Sequence, residues 1–178
     1  MHKFSYKDIT IERSEIFPEV IIIKPSVSVD LRGTIFTTYI EDLYNTFLPS
    51  NLKFIHDKFA ESKRNVLRGL HGDDKTWKLV SCIHGEIYQV VVDYRPDSET
   101  YLRWDSWILN DQNKNQILVP PNFVNGYLVL SESATFHYKL AYKGEYFDVN
   151  KQFVIKWNDA RLNIPWPVKT PILQERDK

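Results

Sequence analysis

An arginine, a histidine and a lysine stand close together in "NVLRGLHGDDKTWKLV", as Arg68, His71 and Lys78. Their types supply a grip on an anion, a group that takes or gives a proton near neutral pH, and a compact positive charge. On position alone His71 is either a base aimed into a barrel mouth or a hydrogen-bonded structural histidine, and both readings stay open. Tyr138 lies in the alternating run "ATFHYKLAY", where His137 and Tyr138 must face opposite sides of a strand. A tyrosine there serves as core filler or as an acid. Arg32 and Arg68 each precede a glycine, which lets backbone come close to a ligand while the guanidinium grips a diphosphate. The plainer alternative is an arginine solvated in a turn.

Other chemistries lack their residues. The five histidines, His2, His56, His71, His84 and His137, form no H-x-H strand pair and no H-E-x-x-H motif, so no catalytic metal is expected. The single cysteine, Cys82, lies in the strand-like "KLVSCIHG" and reads as a buried, inert thiol. Neither a G-x-S-x-G elbow nor a glycine-rich nucleotide loop occurs, so a bound phosphate must be held by side chains. Lys plus Arg and Asp plus Glu both number 23, which steers the chain toward neither nucleic acid nor an anionic membrane. The first residues carry no apolar signal region, and no run approaches the roughly 20 apolar residues of a membrane span, so the cytoplasm is the default location.

The elements that must position these groups read as β. Of 178 residues, 43% are hydrophobic and 14% aromatic, enough for one domain over 1–178. "EIFPEVIIIKPSVSVDLRGTIFTTYI" reads as two strands joined by a loop, and "EDLYNTFLPS" as a short helix ending at Pro49. From Lys53 onward come "KFIHDKFAES", "TWKLVSCIHG", "EIYQVVVDYR", "YLRWDSWILN", "NQILVPPNFVNGYLVLS" and "ATFHYKLAY", each bounded by turn formers. "LRGL" between the first two reads as a turn. The tail adds a strand and then proline-rich chain expected to lie over the barrel. Regular short strands of this kind predict an all-β antiparallel jelly roll with a few short helices.

Five pieces, taken in order, resemble the dTDP-4-dehydrorhamnose 3,5-epimerase family: "DLRGTIF", "VLRGLH", "KLVSCIHGEIYQVVVDYRPDSETYLRW", "QILVPPNFVNGYLVLSESATFHYK" and "KWNDARLNIPWP". The likeness spans residues 22–167. It implies a cupin-type jelly-roll barrel without metal or cofactor, a homodimer with exchanged N-terminal strands, and a nucleotide-diphosphate 4-keto-6-deoxy sugar as substrate. The C4 ketone acidifies C3 and C5, so inversion needs a base on one face of the sugar, an acid on the other and a cation near the ketone oxygen. By motif match the resemblance assigns the base to His71, the carboxylate that orients it to Asp159, the acid to Tyr138 and the enolate-stabilising cation to Lys78. Arg32, Arg68 and Lys156 would hold the diphosphate.

The chain departs from the family pattern at three places. Asn125, in "FVNGY", replaces a histidine near the sugar, and an amide cannot relay a proton, so double inversion is in question. "HDKFA", with His56 and Lys58, and Thr37 replace family residues near the nucleotide, so a base other than thymine is considered. The turn between His71 and Lys78 is short, leaving room for a longer sugar. These features look closer to epimerases of GDP-linked 4-keto-heptoses in bacterial capsule pathways. A 3,4-ketoisomerase and a noncatalytic sugar-nucleotide-binding jelly roll are the competing readings. The "WNDARLNIPWP" tail and Tyr138 favour the epimerase over the first, and the joint presence of His71, Tyr138, Asp159 and Lys78 over the second.

Overall fold

A computed structural model describes residue 5 and residues 7–178 of the chain. The apolar runs become strands β1 (Ile9–Arg13), β2 (Ile21–Pro25), β3 (Val27–Asp30), β4 (Gly33–Phe36), β5 (Phe54–Lys63), β6 (Leu67–Gly72) and β7 (Trp77–His84). They continue as β8 (Glu86–Asp93), β9 (Trp104–Asn110), β10 (Gln116–Val119), β11 (Phe123–Val129), β12 (Ser133–Ala141) and β13 (Phe153–Val154). Two antiparallel sheets face each other, one ordered β1-β2-β10-β7-β12-β5 and the other β13-β6-β11-β8-β9. The pair β3 and β4 forms a separate hairpin. This is the expected cupin-type jelly roll.

Residue parity explains which sequence runs alternate and which do not. Between the sheets, Val80, Ile87, Val91, Ile117, Phe123, Tyr127 and Phe136 form one core. Burying a side chain of this size contributes about 1.5–3 kcal/mol. β8 and β11 are near-continuous apolar runs because their other face is covered too: Val90, Val92 and Val124 pack with Leu70 under Ile155 and Leu162 of the tail. On the outside of the six-stranded sheet, the one-turn helix α1 (Glu41–Tyr44) and the 3-10 turn that follows it bring Tyr44 and Leu48 onto Ile21, Ile23, Leu79 and Leu118. The short helix falls where "EDLYNTFLPS" predicts one.

The segment "LRGL" is not a turn but the first four residues of β6. Gly69 sits at φ +132°, and a Cβ there would lie 2.4 Å from the Cα of Gly126 on β11. Glycine at 69 therefore serves the close approach of two backbones and not the approach of a ligand. That contact, with a register shift in β11 between Asn125 and Tyr127, sets His71 directly opposite Asn125. The tail crosses the outside of the five-stranded sheet, where Trp104 Nε1 donates to the Leu162 carbonyl over 2.8 Å. It returns to β6 through a single bridge, Val66 to Ile172, and ends in a 3-10 turn, Glu175–Asp177.

Candidate active site

At one end of the sandwich a cavity of about 290 Å³ opens between the sheets. Parity on β5, β7 and β12 aims functional side chains into it, whereas Arg68 and His71, three residues apart on β6, share it because the strand is irregular at Gly69 and the β6–β11 register shifts. On β12, Phe136, Tyr138 and Leu140 face inward, while His137 points out to Asp57 of β5 at 2.6 Å. On β7, Lys78 is inward, and on β6 and β11 so are Arg68, His71 and Asn125. Lys58 of β5, opposite Tyr138 in register, closes one side. Tyr146, Asp148 and Gln152, from the loop between β12 and β13, close the mouth with Arg176 of the tail. Lys58, Arg68, Lys78 and Arg176 against Asp148 alone leave the lining strongly cationic, which suits an anionic ligand.

His71 is mostly buried and has a partner on each ring nitrogen. Nε2 lies 2.6 Å from Asp177 Oδ1, and Nδ1 lies 2.7 Å from a terminal nitrogen of Arg176. Burial pulls the imidazole below its usual pKa. The Asp177 hydrogen bond opposes this, and the charges of Arg176 and Lys78 add to it. The ring is thus held neutral and able to take a proton.

Lys78 donates to the His71 carbonyl and to Asn125 Oδ1, both at 3.0 Å. Its burial brings the ammonium down to about 8, with Asp73 pulling the other way. Asp73 also closes the turn from β6 to β7, its Oδ1 accepting from the backbone N–H of Lys75 and Thr76. Tyr138 stands edge-on to Phe136, 4.5 Å between ring centres. Burial pushes its phenol well above the normal range, so it stays protonated and available as a donor. Arg68 Nε donates to Ser62 Oγ over 3.0 Å, which fixes the guanidinium at the cavity edge. The arrangement offers a neutral base, a phenol and a cation around one small volume.

Other expected site residues lie elsewhere. Asp159 does not reach His71; its carboxylate accepts both the backbone N–H and the side chain of Arg161, and that hydrogen bonding lowers it to about 2. The carboxylate on His71 is Asp177, in "PILQERDK", beyond the stretch that carries the family likeness in the sequence. Arg32 sits at the tip of the β3–β4 hairpin, largely exposed and paired with Asp30 at 2.6 Å, away from the cavity. Lys156 is exposed just after β13 and is not part of the lining. His56 borders the site rather than lining it, with Nδ1 3.1 Å from the Tyr142 hydroxyl and its ring 5.1 Å from that of Tyr146. Sequence reading does not reach Arg176, Asp177, Tyr146 or Asp148, because they come from a loop and a tail with no periodic pattern.

Among the described residues no three His, Cys, Asp or Glu side chains gather as a metal set. Cys82 is buried, and that burial raises its thiol to about 12, so it is no nucleophile at neutral pH. No helix among the described residues is long and apolar enough to cross a membrane.

Comparison with known proteins converges on one family. The family model described as dTDP-4-dehydrorhamnose 3,5-epimerase matches residues 14–178. The enzyme of that name from Salmonella typhimurium is 37% identical over 164 residues, 90% of this chain and 88% of that one. Among solved structures, the epimerase from Legionella pneumophila in complex with dTDP-4-keto-L-rhamnose superposes with a TM-score of 0.86 at 34% identity, over 96% of this chain and 90% of that one. The Bacillus anthracis enzyme with TDP and PPi bound gives a TM-score of 0.86 at 30% identity, over 96% and 97%.

Proposed function

This chain belongs to the dTDP-4-dehydrorhamnose 3,5-epimerase family, and from that premise we propose that it inverts one or both carbons flanking the C4 ketone of a nucleotide-diphosphate 4-keto-6-deoxy sugar. The observation that carries the reading is His71, hydrogen-bonded to buried Asp177, standing beside Lys78 in a cavity whose other wall presents Tyr138. His71 removes the proton on C3 or C5. Asp177 stabilises the imidazolium that results, and the negative charge that develops on O4 is met by Lys78. Tyr138 delivers a proton to the opposite face and is then reprotonated from solvent. Arg68 and Lys58 draw in the diphosphate.

We assign the finer reading to a GDP-linked 4-keto-heptose of capsule or surface polysaccharide assembly, although the relatives reported above are named for dTDP sugars. Its support is the set of departures, Thr37, the "HDKFA" segment and the short turn after His71. Asn125 favours inversion of fewer centres, since its amide oxygen is occupied by Lys78 and cannot relay a proton. A homodimer is part of the same reading. The β3–β4 hairpin leaves Val29, Leu31 and Ile35 exposed, a surface that a second copy would cover.

Incubation in deuterated water with GDP- and dTDP-linked 4-keto sugars, followed by NMR, tests the proposal. Label at C3 and C5 identifies a double epimerase, and label at C3 alone assigns the narrowing to Asn125. Migration of the ketone to C3 would replace the reading by a ketoisomerase. Tight binding with no exchange would replace it by a noncatalytic binder. His71→Asn is expected to abolish exchange while substrate still binds. Tyr138→Phe is expected to retain label at the first centre and lose net inversion.

A further inference from the structure

We propose that Arg176 is a displaceable cap on the general base, covering the one nitrogen of His71 that can accept a proton until an anionic substrate draws the guanidinium away. This rests on the reading of His71 as the base. The two ring contacts assign the tautomer. Arg176 contacts Nδ1 and can only donate, so a neutral ring carries its hydrogen on Nε2, which donates to Asp177 Oδ1 over 2.6 Å. A guanidinium can only donate, so Nδ1 holds the lone pair in the 2.7 Å bond to Arg176.

A carbon acid must bring its hydrogen to that same lone pair, with its heavy atom roughly 3–3.5 Å from Nδ1. The Arg176 nitrogen stands in that place, and the sugar and the guanidinium exclude each other. Arg176 is otherwise weakly held. Its Nε is buried with no hydrogen-bond partner, and its separation from Asp177 Oδ1 is 3.7 Å. Its other terminal nitrogen reaches Gln152 Oε1 only at 3.5 Å. A diphosphate entering the same cavity offers it stronger acceptors than a neutral imidazole does. Binding of the substrate's anionic end is thereby coupled to exposure of the base. Arg176 is a positioning residue in this scheme, since it acts through His71.

The charges that face His71 are Asp177 and Arg176 from the tail and Lys78 from β7, with Arg68, Lys58 and Asp148 around the same cavity. Replacing Arg176 with a neutral side chain removes one cation from this set, so the His71 midpoint must rise. Diethyl pyrocarbonate, which acylates a free imidazole lone pair, tests the cap without any substrate. The readout is the rate of modification at His71, resolved by peptide mass spectrometry across a pH series.

In Arg176→Gln the rate at His71 on the alkaline plateau is expected to rise about tenfold, the size of a lost charge-assisted hydrogen bond, and the midpoint of its pH dependence to move upward. Rates at His56 and His84 are expected to stay as in the wild type, which reports an intact fold. Arg176→Lys, which keeps the charge with a single-point donor, is expected to fall between the two and carries the test if the glutamine variant does not fold. Equal plateau rates and midpoints in wild type and variant would overturn the cap. Because the reagent needs no sugar, that failure would leave the epimerase reading standing, whereas absence of solvent exchange in wild type strikes the epimerase reading itself.

Discussion

Four Asp/Arg pairs in this chain show how spacing decides what a carboxylate does. Asp30 with Arg32, Asp93 with Arg95 and Asp159 with Arg161 share the order Asp-x-Arg. In each, the carboxylate accepts the backbone N–H of the arginine and then its guanidinium. Two-residue spacing closes the pair on itself. Arg176 and Asp177 are adjacent and make no hydrogen bond to each other, Arg176 Nε standing 3.7 Å from Asp177 Oδ1, and each bonds a separate nitrogen of His71. The self-closed pairs stabilise turns. The open pair leaves both charges available to a third residue.

The largest expected effect breaks that comparison at its two ends. Asp177→Asn should cost about 10²–10⁴-fold in kcat/KM, the range of acid–base assistance, while Asp159→Asn should stay within about twofold. Comparable losses in steady-state assays of the two variants would show that the self-closed pair also serves the reaction. A second expectation separates the closed pairs by burial. Asp93 is fully buried and also accepts from Ser98 and Thr100, so Asp93→Asn should lower stability by about 2–4 kcal/mol. The exposed Asp30 pair should contribute no more than a surface turn does, and urea midpoints of Asp93→Asn and Asp30→Asn measure the contrast.

The smallest effect concerns pH. With the roles proposed for them, His71 must be neutral and Lys78 charged for turnover. Falling pH protonates His71 only below the usual imidazole range, since its pKa is lowered, so the acid limb of kcat/KM should lie below about 6.5. Rising pH discharges Lys78, which places the alkaline limb near 8. In Asp177→Asn the acid limb should move lower still, because the carboxylate is what raises the imidazole. A profile with no alkaline limb near 8 would remove Lys78 from the reaction.

Strands were legible in runs such as "EIYQVVVD", but the stretch read as two strands before Glu41 holds three, β2 to β4, and "NQILVPPNFVNGYLVLS" divides at Pro120–Asn122 into β10 and β11. β6 was not legible, because "LRGL" carries a glycine that answers to Gly126 across the sheet and not to its own neighbours in sequence. The opening residues, Arg68, His71 and Lys78, do line one cavity with Tyr138 and Asn125. Asp159 and Arg32 belong to Asp-x-Arg pairs, a spacing that warns of self-closure when read physically. Asp177 and Arg176 gave no comparable signal.

The sequence by itself determined the β architecture, the opposite facing of His137 and Tyr138, and the types of group available, because strand period and side-chain chemistry are local properties. Only the tertiary structure decided which carboxylate reaches His71. That choice depends on a tail that leaves the sheet, crosses its outer face and comes back to β6 through a single bridge at Ile172. The path is set by packing over Leu70, Val90 and Val92, and no local pattern in the last residues encodes it.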